Sequence, residues 1–357
     1  MKKFKKLSKK KKIILIITCL MIVLLVLGIL FGPKLFKEKE VPKKKESQSK
    51  EVPKLKIIDE DSKSRPYAVM INNNSAVWSY QSGLNKAYMV YELLVEGGIT
   101  REMALFRDSD VEKIQSIRSS RHYFLDYALE NDALYVHWGW SPQAQSDIRN
   151  LGINNINGLT YEGSYFFRDN TVRAGYEHRG YTTMDSLKQA TERLGYRTET
   201  EKGVLLNYSI DPLDLSEAEG VMDAKYITIR FSNSYECEFV YDETNKVYIR
   251  KQNNQEMKDY TSGETFTTKN IITYKAYYSY IYGDDKGRQN MSNTGSGDGY
   301  FITEGKAIPI KWSKSSRGEK TTYTLANGEE LSVNDGNTYI EINPSSQGTN
   351  ISAEIPA

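Results

Sequence analysis

Nineteen consecutive residues, Ile13 to Phe31, carry no charge, and they follow a stretch in which eight of the first twelve residues are lysine. As a helix rising 1.5 Å per residue, the stretch covers about 28 Å, close to the hydrocarbon thickness of a bilayer. It is longer than the roughly 7–15 apolar residues of a cleaved secretory signal, and no A-x-A-like cleavage site follows it. The segment therefore reads as an uncleaved signal anchor: a single-pass transmembrane helix over 13–31 behind a basic cytoplasmic tail over 1–12. The far flank is also basic, but Glu38, Glu40 and Glu46 dilute Lys34, Lys37, Lys39 and Lys43–Lys45. The undiluted side stays inside, so the rest of the chain is expected to be extracytoplasmic. Cys19 has a poor context for lipid attachment, because Thr18 precedes it and a dozen apolar residues follow.

Residues 32–64 are rich in lysine and glutamate, with prolines at 33, 42 and 53. Such a composition buries too little apolar surface to fold alone and reads as a charged flexible stalk with a reach of about 30 Å. The whole chain carries +2; subtracting +8 for the tail and +3 for the stalk leaves the part from Arg65 near −9. A net acidic ectodomain argues against a nucleic-acid partner, and any polyanion must be held in a local basic pocket. Cys237 is the one cysteine beyond the anchor, so no internal disulfide can form there. A body of this size can hold together by its core without staples.

The expected fold class is α+β: after the membrane helix, an α/β-type mixed-sheet domain over 65–208, a connector over 209–224, a smaller, mostly antiparallel β domain over 225–345 and a tail over 346–357. In the first domain YAVMIN, AYMVYELLVE, REMALFRD, KIQSIR and ALYVHWG read as strands. HYFLDYALEND, PQAQSDIRNLG and TMDSLKQATERLG read as helices, the last two closed by glycine at the position a C-cap favours. The second segment has almost no helical period and shows hairpin-turn signals at Glu304-Gly305-Lys306 and Asn327-Gly328.

Chemistry is expected at one rim of the first domain, where strand ends and helix N-termini converge. Arg101 and Arg107 bound one strand, and Arg118, Ser119, Ser120 and Arg121 lead into a helix. Guanidinium forks there suit phosphate or carboxylate. His137, Trp138 and Trp140 sit at another strand-to-helix junction, with rings able to stack on a sugar or base. Arg168, Arg173 and His178 lie in a long polar loop, a type of segment that often carries function. Each set has a plain structural alternative, such as Arg101 with Glu102 or Arg107 with Asp108 as surface ion pairs. Glu92, Glu96 and Asp108 could hold a hard cation, but nothing in their spacing requires one. Three histidines with no close pair argue against zinc. Gly295–Gly299 lacks the strand-then-helix context of a phosphate loop. Tyr278, Tyr280 and Tyr282 share one strand face, either as a contact surface or as aromatics covering a core.

RPYAVMINN, QSGLNKAYMVYELLVEGGITREMALFRD, KIQSIRSSRHYFLDYALENDALYVHWGWSP, NGLTYEGSYFFRD, GSGDGYFITEGKAIPIKWSK and NGEELSVNDGNTYIEINP resemble the YerB-like lipoproteins of Gram-positive bacteria, over about 65–345. That resemblance implies two domains of unknown function tethered to the outer face, by lipid in most members and here by a membrane helix. The order basic tail, membrane helix, stalk, then I-x-R-S-S-R is also similar, more loosely, to the LytR-CpsA-Psr wall-polymer ligases. Arg118 and Arg121 would match the arginines that hold a polyprenyl pyrophosphate in those enzymes. The expected partners are therefore the cytoplasmic membrane and an anionic cell-wall or precursor ligand: glycan, peptidoglycan or a polyprenyl-linked precursor. The alternatives are a phosphotransferase or hydrolase on wall polymers, and a scaffold docking another envelope protein through its β domain. No cofactor is expected, except Mg²⁺ under the enzyme alternative.

Overall fold

A computed structural model describes residues 9–35 and 54–356, which fall into two units, 1–52 and 53–357. In the first unit, α1 (Lys9–Leu35) is one continuous helix. Its described aliphatic side chains, Ile13 to Leu27, are all exposed. Described side chains on α1 stop at Leu27, and among the described residues no helix is long and apolar enough to cross a membrane.

The second unit is built on one large mixed sheet. Its strands in chain order are β1 (Tyr67–Asn72), β2 (Met89–Leu94), β3 (Thr100–Phe106), β4 (Leu134–His137) and β5 (Asn155–Asn157). Next comes the short β6 (Met222–Asp223), followed by β7 (Tyr226–Ser232), β8 (Tyr235–Asp242) and β9 (Val247–Gln252), which form a second sheet. The chain then returns to the large sheet with β10 (Asn270–Tyr280), β11 (Gly295–Thr303), β12 (Lys306–Lys314) and β13 (Thr338–Pro344), and ends on β14 (Thr349–Ser352). The large sheet runs β6-β12-β11-β10-β13-β2-β3-β1-β4-β5, and the second runs β9-β8-β7-β14 with antiparallel pairs throughout.

Every residue of β1, β2, β3 and β13 is buried. The strands are covered on both faces, which is why they read as near-continuous apolar runs rather than as an alternation. Ala68, Met70, Tyr91, Leu93, Met103 and Leu105 face α2 (Phe124–Glu130) and α3 (Pro142–Asn150). Val69, Ile71, Val90, Ala104 and Phe106 share a core with Ile227, Ile229, Phe239 and Tyr248 of the second sheet and with α4 (Met184–Leu194). Ser141 caps α3 by accepting from Ala144 N–H at 3.2 Å, with Pro142 at the first helical position. Thr183 caps α4, which Gly195 closes at φ +64°.

The mixed sheet, the antiparallel sheet, the three helices and the Glu304-Gly305 hairpin agree with the sequence reading. The partition at 209–224 does not. Strand β13 pairs in parallel with both β2 and β10, so residues 270–344 belong to the same sheet as residues 67–157. Apolar runs announce strands but not their partners, and sequence order suggested two bodies where chain crossing makes one. The stalk is also shorter than 32–64, because the carboxylate of Asp335 accepts the N–H groups of Lys56 and Ile57 at 2.9–3.0 Å and Ile58 is buried. Residues 36–53 of the expected stalk, and tail residues 1–8, lie outside the described residues. The expected 346–357 tail contains β14, which pairs with β7. KIQSIR contributes only a two-residue strand, Ile114–Gln115.

Candidate functional site

Strands β1, β2, β4 and β5 point the same way, so their carboxyl ends share one edge of the sheet with the start of β3. Residues 117–120 are wedged into that edge. Arg118 N–H donates to Met70 C=O at 2.9 Å, and Trp138 N–H donates to Arg118 C=O at 3.0 Å. The insertion places Arg118 and Ser119 beside Trp138, Gly139 and Trp140. With Leu159, Arg168 and Glu177 these line a cavity of about 370 Å³. Ligand clefts of open α/β sheets lie at this edge.

Two glycines and one arginine hold Trp138. A Cβ on Gly158 would stand 2.5 Å from the indole, and one on Gly180 would stand 2.6 Å from it. The Arg168 guanidinium lies 3.8 Å from the indole ring centre and 4.3 Å from that of Tyr176, and its Nε donates to Glu162 at 2.9 Å. Arg118 differs. Its Nη1 donates to the backbone carbonyl of Glu177 at 3.0 Å, and among the described residues no carboxylate stands within ion-pair distance of it. Burial lowers its pKa from the ordinary value, with the Glu177 charge pulling the other way. It is a half-buried cation with donor capacity facing a cavity.

Five of the expected residues, Arg118, Ser119, Trp138, Trp140 and Arg168, meet here, and the rest do not. Arg101 and Arg121 stand at the same edge but share Glu96 as their ion-pair partner. Arg101 Nη2 reaches Glu96 Oε1 at 3.0 Å, Arg121 Nε reaches Oε2 at 2.8 Å, and Arg121 Nη2 also contacts Oε1. Burial alone would raise Glu96, but the Arg121 hydrogen bonds and the two positive charges hold it down to about 2. Burial and the Arg121 charge lower Arg101 to about 9. Arg107 follows β3 at the opposite edge, in a different cavity, beside Asp108. Ser120 is buried and accepts from Tyr135 O–H at 2.8 Å. His137 is buried, bonded to Gly139 C=O and Asn155, and burial lowers it to about 4. Arg173 is exposed, and His178 Nδ1 pairs with Asn72 Nδ2 at 2.9 Å. The cation trio disperses: Glu92 is interior, Glu96 pairs with arginine, and Asp108 lies at the far edge. Tyr278 is largely enclosed and donates to Ile342 C=O at 3.0 Å, whereas Tyr280 is 76% exposed and Tyr282 fully so.

Three cavities are larger, at about 600, 550 and 400 Å³. Lys311 is paired with Asp298 in the first, Arg65 with Asp132 and Arg107 with Asp108 in the second, and no basic side chain lines the third. None sets an arginine that lacks a carboxylate partner against indole rings, so chemistry favours the cavity at Arg118.

A second polar set escaped sequence reasoning. On the face of the large sheet that meets the second sheet, Glu102, Glu92 and Glu341 stand opposite one another in register across β3, β2 and β13, followed by Thr273 on β10. Adjacent strands are about 4.8 Å apart, and like charges so placed repel. Arg250 of β9 answers two of them from above: its Nη2 lies 2.7 Å from Glu92 Oε2 and 3.0 Å from Glu102 Oε1, and all three side chains are wholly buried. Asn73 Nδ2 and Thr100 O–H donate to Glu92 Oε1 at 2.9 and 2.5 Å. Burial raises Glu102 to about 8 against the pull of Arg250, and burial with the Glu92 charge raises Glu341 well above the usual carboxylate range.

Comparison with known proteins supplies the family. Residues 55–197 match the model described as "Protein of unknown function (DUF3048) N-terminal domain", and residues 227–340 match the corresponding C-terminal domain. The chain is 31% identical over 298 residues to "Putative lipoprotein YerB" of Bacillus subtilis (strain 168), covering 84% of this chain and 87% of that protein. It therefore belongs to the YerB-like family, which has domains of unknown function. The crystal structure of the YerB protein from Bacillus subtilis superposes with a TM-score of 0.71 at 28% identity, over 84% of this chain and 99% of that one.

Proposed function

We propose that this protein is a membrane-anchored, extracytoplasmic component of the cell envelope that binds an anionic envelope ligand in the cavity lined by Arg118, Ser119, Trp138, Trp140 and Arg168. The carrying observation is Arg118, a half-buried guanidinium with no carboxylate partner among the described residues, beside two indoles at the carboxyl edge of the sheet. Guanidinium with hydroxyl suits phosphate or carboxylate, and the partly exposed Trp140 indole suits the apolar face of a sugar. An anionic glycan, a peptidoglycan fragment and a polyprenyl-linked precursor all present that combination. The anchor reading rests on the uncharged Ile13–Phe31 run behind eight lysines, within one continuous helix. A lipoprotein relative also supports a membrane tether.

Binding is preferred to group transfer because the acids at the cavity are few and engaged. Glu177 is the one acid lining it, and Glu162 nearby is committed to Arg168 and Tyr176. A scaffold role has its own support in Tyr277, Tyr280 and Tyr282, exposed together at the end of β10 and the loop after it.

The test is a titration of the detergent-solubilised full chain with pyrophosphate, soluble peptidoglycan fragments and a polyprenyl pyrophosphate. Saturable binding that Arg118→Ala weakens at least about tenfold, the worth of one charge-assisted hydrogen bond, is expected. Binding of none of these probes, or equal binding by the variant, overturns the reading.

A further inference from the structure

The row Glu102, Glu92 and Glu341 requires more positive charge than Arg250 supplies. Three carboxylates and one guanidinium, all wholly buried, leave a balance of −2. Uncompensated charge is not tolerated in such a place; it is paired, protonated or bound to a metal. Two added protons would close the balance; one divalent cation held with a Cys237 thiolate would leave −1, so that a single proton would stay on the row.

The geometry favours the cation at one end of the row. Glu92, Glu341 and Cys237 of β8 each offer a ligand atom, and these atoms lie within 4.8 Å of one another. Neither carboxylate oxygen of Glu341 has a hydrogen-bond partner. The same holds for Thr273 Oγ1, opposite Glu341 in register, and for Asn343 Oδ1, two residues along the same strand; both residues are at least 99% buried. Unused acceptors are therefore concentrated around Glu341. Glu92, by contrast, is fixed by Asn73, Thr100 and Arg250, as the outer partners of a ligating carboxylate usually fix it.

We propose that Glu92, Cys237 and Glu341 form a buried site for one thiophilic divalent ion of the zinc class, with Thr273 and Asn343 as neighbouring oxygen donors. A thiolate beside carboxylates suits zinc better than magnesium or calcium, which take oxygen alone. Cys237 comes from the second sheet, and both glutamates come from the large one. The ion would clip the two sheets together in an ectodomain whose single cysteine rules out an internal disulfide. The site is enclosed, so it would fill during folding rather than by later exchange. It is independent of the anion cavity.

The test is elemental analysis of the full chain, purified in detergent without chelator. About one zinc-class ion per chain is expected, falling at least about tenfold in Glu341→Gln and Cys237→Ser. If either variant does not fold, the wild type decides: unfolded and refolded with zinc, it should melt higher than when refolded with EDTA. A metal-free wild type that gains neither ion nor melting temperature on refolding with zinc overturns the proposal, leaving protons as the compensation. Full metal retention in both variants also overturns it, by locating the ion elsewhere.

Discussion

The edge cavity and the buried acidic row use the same chemical parts in opposite ways. Each sets an arginine over an aromatic ring, Arg168 at 3.8 Å from the Trp138 ring centre and Arg250 at 5.7 Å from that of Tyr339. Each also brings carboxylates close to guanidinium. At the edge the charges reach water and one arginine is left unpaired, so the set is available to a ligand. In the interior no charge reaches water, so every charge must be answered by the protein or by something enclosed with it. Removing a part should therefore cost affinity at the edge and stability in the interior.

The largest expected effect is in the interior. Arg250→Ala leaves Glu92 and Glu102 facing each other without a cation, and should cost about 3–5 kcal/mol in urea unfolding, or prevent folding. A loss below about 1 kcal/mol would mean that the row is compensated without Arg250. Gly158→Ala should come next. Its methyl would meet the Trp138 ring at 2.5 Å, and overpacking of this kind costs about 1–3 kcal/mol. The displaced indole should also change the near-ultraviolet dichroism.

Acid pH separates the two regions. In the folded protein the Arg121 and Arg101 guanidiniums hold the Glu96 carboxyl down to about 2, from the usual 4.5. The unfolded chain therefore binds this proton first as pH falls, so the stability contribution is fully present above 4.5 and is lost between 4.5 and about 2. Glu96→Gln should remove this part of the acid dependence and leave the rest. An unchanged acid limb would show that Glu96 does not hold Arg101 and Arg121. The smallest effect on stability belongs to Arg118→Ala, within about 0.5 kcal/mol, because its hydrogen bond goes to the backbone carbonyl of the exposed Glu177. The same variant carries the largest expected loss of ligand affinity, so measuring both quantities on one protein tests the contrast directly.

The edge was legible in the sequence because its parts are contiguous. Ile117 to Arg121 and His137 to Trp140 are short runs at strand ends, and two neighbouring strands bring them together. What the runs could not show was Glu96, whose carboxylate removes Arg101 and Arg121 from the candidate set. The interior row was hidden for a different reason. Glu92, Glu102, Arg250 and Glu341 lie on four strands spread over 250 residues, and their meeting depends on β13 entering between β2 and β10. A signal was present: each glutamate borders or interrupts apolar residues within a strand, as in MVYELL, TREMALF and TYIEINP. An acid at the centre of a strand buried on both faces calls for a partner, but local pattern cannot say where the partner lies.

Strand β13 also has a consequence for the order of assembly. It follows every other strand of the large sheet in the sequence, yet it occupies the middle of that sheet. Until residue 344 is available, β2 and β10 each present an open edge, and the Asp335 clasp on the chain entering the fold at Lys56 cannot form. Contacts this distant in sequence are costly in loop closure and slow to form. Before β13 pairs, the chain would carry two unjoined half-sheets, a state in which unpaired strands invite pairing with the wrong neighbour. The sheet closes at its centre, and that last step turns two halves into one body.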